Sequence, residues 1–262
     1  MSQRAKRVTE EIVAWIREKV AEAGAKGTVV ALSGGVDGAV TIELCRRAFP
    51  DSTLGVIMPC HSDPEDAADA RLHAEQAGFP VVTIDLTPVY DALVAAIERA
   101  WPAPGATGPA PDPGSAAGED HRLRLALANI KPRLRMTALY YVANRFNYLV
   151  AGTENRSELT VGYFTKYGDG GADILPIANL VKSQVYELAR FLGVPEKILR
   201  RTPSAGLWAG QTDEAEMGLT YEQLDRYILT GEAPRHVKER IEHLHRISEH
   251  KRQRPPIADV QW

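Results

Sequence analysis

Cysteine is nearly missing from this chain. Cys45 and Cys60 are the only two in 262 residues, and neither belongs to a C-x-x-C or a His/Cys cluster, so neither a disulfide framework nor a structural zinc site is indicated. Long apolar runs are missing too: nothing approaches the roughly 18 residues of a membrane span. The opening MSQRAKRVTEEI lacks the apolar segment of a secretory signal. The expected compartment is the cytoplasm, with no membrane partner. Charge of one sign is also lacking, since 31 Lys and Arg stand against 34 Asp and Glu for a net charge of −3, which gives no electrostatic case for nucleic acid. Internal repeats are not found.

What is present is an ordinary globular composition, 44% hydrophobic and 25% charged, in a length that suits one large domain over residues 1–262. Val8, Ile12, Trp15, Ile16 and Val20 form one helical stripe within residues 4–23. Strand and helix patterns then alternate: a strand at 28–32, a helix at 36–48, a strand from Thr53 to Met58, a helix opened by Asp63-Pro64 and closed by Gly78, a strand from Val81 to Asp85, and a helix from Thr87-Pro88 to about Ala100. From Trp101 the composition changes to WPAPGATGPAPDPGSAAG, which predicts a mobile loop at about 101–120. Helical pattern resumes near His121, Pro132 marks a boundary or kink, and Asn147–Gly152 reads as a further strand. Helices follow at about 181–192, after Pro195, after Thr220 and from about Pro234, ending in a basic tail within 249–262. The alternation predicts an α/β fold with a parallel sheet covered by helices on both faces.

The stretch Leu32-Ser33-Gly34-Gly35-Val36-Asp37-Gly38 ends the first strand and opens a helix. Adjacent glycines admit a ligand close to the backbone, and helix N-terminal amides bind anions, so a phosphate is the expected ligand. The pattern is neither a G-x-x-x-x-G-K-[ST] loop nor a G-x-G-x-x-G loop. Asp37 alone reads equally as a helix-dipole partner. Beside phosphates, however, its carboxylate calls for a cation, and Mg²⁺ takes one or two carboxylates together with phosphate oxygens. A second strand-to-helix junction, Gly152-Thr153-Glu154-Asn155-Arg156-Ser157-Glu158, offers Glu158 as the other metal ligand and Thr153 as a hydroxyl donor. Ligands of open α/β sheets gather outside the carboxyl ends of the strands, where both junctions fall.

The segment Gly162-Tyr163-Phe164-Thr165-Lys166-Tyr167-Gly168-Asp169-Gly170-Gly171-Ala172-Asp173 closely resembles the G-[FY]-F-T-K-[FY]-G-D-G-G-x-D stretch of NAD synthetases, and Ser33–Gly38 resembles the S-G-G-x-D-S loop of ATP pyrophosphatases. Asn129-Ile130-Lys131, Arg133-x-Arg135-Met136, Lys182, Pro203–Trp208, Gln211–Glu214, Leu219–Tyr221 and Glu249–Arg252 extend the resemblance from Val8 to Pro255. It implies a Rossmann-like, adenine nucleotide alpha hydrolase-like sheet and a ligase that amidates deamido-NAD with ammonia, using ATP and Mg²⁺, through an adenylated carboxylate. The implied ATP contacts are Leu32, Ser33, Gly34, Gly35, Val36, Asp37, Gly38, Thr153, Lys182 and Ser204. Those to deamido-NAD are Arg133, Lys166, Asp173, His250 and Lys251, and the Mg²⁺ ligands are Asp37 and Glu158. Ammonium must lose a proton before it attacks, and Asp169 or Asp173 is the candidate catalytic acceptor. Glutamine-dependent enzymes of this family carry an amidase domain before the synthetase, whereas here the loop begins about thirty residues in, so free ammonia or a separate donor is the expected nitrogen source. The resemblance also implies a homodimer, with the N-terminal helix and the helices near 121–145 as interface material.

Three positions depart from the pattern: Gly38 where Ser is usual, Glu154 where many relatives have Gly or Asp, and Ala178-Asn179 where Gly-Asp is common. They leave two alternatives open, a weakened or non-catalytic nucleotide-binding relative and a different adenylating enzyme of the same architecture.

Overall fold

The apolar run ahead of the Ser-Gly-Gly turn becomes one of the two inner strands of the sheet. In the computed structural model, which describes residues 2–100, 116–208 and 210–260, the strand order is β3 (Val81–Thr83), β2 (Thr53–Ile57), β1 (Gly27–Leu32), β4 (Tyr148–Ala151). All three ladders are parallel, with Val30 opposite Gly55 on one side and Ala151 on the other. Parallel neighbours need crossovers, and helices supply them. The helices are α1 (Ser2–Glu22), α2 (Val36–Ala48), α3 (Pro64–Ala77), α4 (Thr87–Ala100), α5 (Ala116–Ala128) and α6 (Ile130–Phe146). Beyond β4 come α7 (Arg156–Val161), α8 (Lys182–Leu192), α9 (Glu196–Leu199), α10 (Asp213–Met217), α11 (Tyr221–Thr230), α12 (Arg235–Ile247) and α13 (Glu249–Arg252).

Alternation along β1 splits the core into two layers. Val30 and Leu32 pack with Ile16 and Val20 of α1, Val40 and Leu44 of α2, and Val185 and Leu188 of α8. Val29 faces the other way, onto Val56, Val150 and the Leu139, Val142 and Ala143 side chains of α6. A third cluster, Val161, Met217, Leu219, Leu224, Val237 and Ile241, holds the C-terminal helices together. Of the expected apolar stripe of α1, Ile16 and Val20 are buried in this core, and Ile12 and Trp15 pack against it half-buried.

The element pattern predicted from the sequence is found, with differences in the extent of β3 and α5 and with one short helix, α10, that was not expected. β3 ends at Thr83 rather than Asp85, because the Asp85 side chain turns back to accept from the Thr87 amide and starts α4. Helix α5 begins at Ala116, five residues before the expected start, where alanines and acidic residues favour a helix N-terminus. The remainder of the expected loop, 101–115, lies outside the described residues. Of the boundary or kink expected at Pro132, the structure has the boundary: α5 ends at Ala128, and Pro132 stands in the first turn of α6, where its missing N–H costs nothing.

Candidate active site

Two strand ends lie side by side at the carboxyl edge of the sheet. From β1 the chain passes through Ser33, Gly34 and Gly35 into α2. Gly34 has φ +77°, and a Cβ there would come 2.6 Å from the Asp66 carbonyl oxygen, so this turn needs glycine. Gly35, the N-cap of α2, offers no side-chain cap, and the first-turn amides are left to an anion.

From β4 the chain enters α7 through Asn155, a reciprocal cap: Asn155 Oδ1 accepts from the Glu158 amide at 3.0 Å, and Glu158 Oε2 accepts from the Asn155 amide at 3.1 Å. Asn155 Nδ2 also donates to Asp37 Oδ1 at 2.9 Å, tying the start of α7 to the first turn of α2. Between the two carboxylates sits Lys182, whose side chain is 4% exposed, with Nζ 2.6 Å from Asp37 Oδ2 and 3.3 Å from Glu158 Oε1. Its placement depends on a residue the sequence reading did not single out. Val181 cannot cap α8, and Asp225 of α11 does so from outside, accepting from the Lys182 and Ser183 amides at 3.3 and 2.7 Å.

Charge is crowded here. Burial, and then the Asp37 charge, push the Glu158 carboxyl above its ordinary range. Burial works against the Lys182 ammonium, but Asp37 and Glu158 overcome it and hold its pKa above the usual value. The Tyr221 hydroxyl lies 2.8 Å from Asp213 Oδ2 and 3.2 Å from Glu158 Oε1, and its pKa is raised by burial first and Glu158 second. Two hard carboxylates converging on one cationic centre fit a magnesium ion that completes its shell with phosphate oxygens and water. Asp37 and Glu158 would hold it, and Lys182 supplies the positive charge in the protein alone. Among the described residues no group of three or more His, Cys, Asp or Glu side chains is arranged to hold a metal by itself.

These groups line a cavity of about 960 Å³, at the upper end of small-molecule sites, together with Thr153, Glu154, Asp169, Arg201, Ser204, Asp213 and Lys251. A family model described as NAD synthase matches residues 8–255. The chain belongs to the NAD synthase family. It is 51% identical over 249 residues to the NH(3)-dependent NAD(+) synthetase of Carboxydothermus hydrogenoformans, covering 95% of this chain and 96% of that one. To the enzyme of the same name from Methanocaldococcus jannaschii it is 40% identical over 268 residues, covering 97% and 96%. Among solved structures it resembles the NMN synthetase of Francisella tularensis, with TM-score 0.86, 36% identity and coverage of 98% and 99%. The NH3-dependent NAD synthetase of Campylobacter jejuni, in complex with nitrate, gives TM-score 0.73 and 26% identity, with coverage of 97% and 99%.

With the NAD synthase family in view, the expected residues divide into two sets. Leu32, Ser33, Gly35, Val36, Asp37, Gly38, Thr153, Glu158, Lys182, Ser204, Asp169 and Lys251 line the one cavity, and Gly34 shapes its turn. Ser204 Oγ accepts from the Gly206 amide at 3.1 Å, and the Lys251 ammonium donates to the Gly162 and Phe164 carbonyls at 2.8 Å each. Asp169 accepts from the Thr165 amide at 3.0 Å, and the protein crowded around it raises its carboxyl pKa despite that bond. Arg133, Lys166, His250 and Asp173 are not in the cavity lining. The first three form a chain outside it: Arg133 Nη2 donates to the Lys166 carbonyl at 3.4 Å and Lys166 Nζ to the His250 carbonyl at 2.6 Å. Asp173 has both oxygens engaged, one with the Tyr140 hydroxyl at 2.9 Å and one with the Val150 amide at 2.8 Å.

Two further groups were not anticipated as site residues. Arg201, paired with Asp66 and, at 3.0 Å, with Asp69, stands beside the phosphate turn, its Nη1 3.1 Å from where a Gly34 Cβ would sit. Arg135 also lines the cavity and donates to the Met58 carbonyl at 3.0 Å. Arg135 stands in the Arg133-x-Arg135-Met136 motif, but its place in the cavity wall, held by neutral acceptors, is visible only after folding.

Proposed function

We propose that this chain adenylates the nicotinate carboxylate of deamido-NAD with ATP and then forms the amide with ammonia, releasing AMP and yielding NAD. A carboxylate is a poor acyl donor because its leaving group would be oxide. Adenylation replaces that with a phosphate. No side-chain nucleophile is needed, so the residues act by positioning and by neutralising charge. The observation that carries the reading is the convergence of the Ser33–Gly35 turn, the Asp37–Lys182–Glu158 cluster and the 163–171 loop on one cavity in a chain of this family.

The first-turn amides of α2 and the Ser33 hydroxyl bind the β- and γ-phosphates, Lys182 and Arg201 offset the charge that develops as pyrophosphate leaves, and Thr153 and Ser204 contact the nucleotide. Magnesium, when bound at Asp37 and Glu158, supplies further charge neutralisation at the phosphates. Asp169, facing the cavity, accepts a proton from ammonium. Asp173 keeps its assignment as a deamido-NAD contact rather than a proton acceptor, since its two oxygens already orient Tyr140 and the end of β4.

A second reading of the acid substrate rests on two observations. A structure named NMN synthetase overlays with TM-score 0.86, and Arg133, Lys166, His250 and Asp173, all matched to dinucleotide contacts, stand outside the cavity. On that reading the acid is nicotinate mononucleotide. One assay separates them: ATP, Mg²⁺ and ammonium with either acid, following AMP and the amide product. A kcat/KM higher for deamido-NAD supports the first reading and a higher one for the mononucleotide supports the second, while absence of AMP with both refutes amidation.

We also infer a homodimer working in the cytoplasm. No described helix is long and apolar enough to cross a membrane. Helix α4 has no buried residue, and Val89, Leu93 and Ile97 are 49%, 38% and 42% exposed. Such an apolar face suits a second copy of the chain, and a copy placed there is a source of the dinucleotide contacts that the cavity itself omits.

A further inference from the structure

Glu154 has no role in the scheme above. It lies in the loop between β4 and α7 and is 3% exposed, and its Oε2 has no hydrogen-bond partner among the described residues. The side chain folds back beneath the end of the strand: a Cβ on Gly152 would lie 2.7 Å from that oxygen, 2.7 Å from the Ala172 Cβ and 2.6 Å from Leu175 Cδ2. Glu154 therefore forms part of the cavity wall next to the 168–172 turn, which also carries Asp169.

A buried carboxyl oxygen without a donor is costly unless something fills the gap. The neighbours do not fill it. Lys182 is already shared by Asp37 and Glu158, the Tyr221 hydroxyl is spent on Asp213 Oδ2 and Glu158, and Asp169 accepts from the Thr165 amide. Asp169, Glu158 and Asp37 all add negative potential at Glu154, and together with burial they raise its carboxyl far above the ordinary range. A carboxyl in such a potential is matched by a small cation with N–H donors.

We propose that Glu154, with Asp169, seats the ammonium ion whose nitrogen becomes the amide nitrogen. The proposal rests on the amidation reading above. In the step it serves, ammonium gives one proton to the Asp169 carboxylate. The freed lone pair of ammonia forms the C–N bond at the acyl carbon, the C–O bond to AMP breaks with its electron pair leaving on the phosphate oxygen, and the second proton passes to water. Glu154 accepts an N–H bond from the ion and orients it. Because this position is Gly or Asp in many relatives, Glu154 tunes capture of the ion rather than enabling the chemistry.

The test separates adenylation from amidation. Deamido-NAD-dependent exchange of labelled pyrophosphate into ATP needs no ammonium, whereas NAD formation does. In Glu154→Gln we expect exchange to stay within twofold of the parent while KM for ammonium rises about tenfold, the loss of one charge-assisted hydrogen bond. Glu154→Asp, which keeps the carboxylate, should fall between the two. Unchanged KM for ammonium in the glutamine variant overturns the proposal, and so does a parallel fall of exchange and amidation in both variants, which marks a merely structural side chain. Absence of exchange in the parent protein with either nicotinate acid refutes the amidation reading itself.

Discussion

Replacing Lys182 by methionine keeps most of the buried stem and removes the one ammonium that Asp37 and Glu158 share. The Lys182 side chain is 4% exposed, and its two partners are 16% and 14% exposed, so water does little to replace it. Breaking a buried ion pair by deleting one partner costs about 3–5 kcal/mol, because the other charge is left uncompensated. Glu158, already held above its ordinary range by burial and Asp37, relieves part of this by taking a proton, which puts the expected loss at the lower end, about 3 kcal/mol. For a chain of this size that corresponds to a fall in Tm of about 6–12 °C. Magnesium binding between the same carboxylates should return much of it, so Mg²⁺ should stabilise Lys182→Met more than the parent protein. Thermal unfolding of both proteins with and without Mg²⁺ measures the difference. If the variant unfolds at the parent temperature, or if Mg²⁺ shifts both by the same amount, Lys182 does not hold the carboxylates in the way described.

The departure at Gly38 is accessible through a pair of variants. A Cβ there would lie 3.2 Å from the Ala31 carbonyl oxygen, and this tight contact offsets the helix-propensity gain of about 1 kcal/mol, so Gly38→Ala should be near neutral in stability. Gly38→Ser adds a hydroxyl at the phosphate turn and should exceed the alanine variant about tenfold in kcat/KM for ATP; equal values would show that the loop is already compensated. Elsewhere, Glu43 is 2% exposed and bonded by His73, Arg46 and Arg47, which against the cost of burial bring its pKa from 4.5 to about 2. A depressed carboxylate contributes stability above its unfolded pKa and loses it as pH falls through the folded one, so Glu43→Gln should cost about 3 kcal/mol at neutral pH, with the difference from the parent closing between pH 4.5 and about 2 in urea titrations. A constant difference across that window would assign the loss to packing. Leu93→Glu with Ile97→Glu should convert a dimer to a monomer in light scattering; a dimer that survives both changes places the interface elsewhere.

The sequence discloses those parts of the site whose chemistry is local. Ser33-Gly34-Gly35 and the glycine-rich 168–171 turn carry their backbone requirements in their own residue types, and the strand-turn-helix around each follows from apolar spacing over a few residues. Partners far along the chain leave no such trace. Asp225 caps α8 from 43 positions beyond Lys182, and Arg201 reaches Asp66 across 135 positions. Each is an ordinary surface-type residue until the fold brings its partner to it. The motif around Asp173 shows the opposite case, a residue type in the expected pattern whose two oxygens are taken by Tyr140 and Val150. A pattern therefore says which carboxylates belong to the loop, but which of them retains a free oxygen is decided by packing. Glu154, a departure from the usual residue at the second junction and with no donor to its Oε2 among the described residues, is the carboxylate for which that distinction matters most.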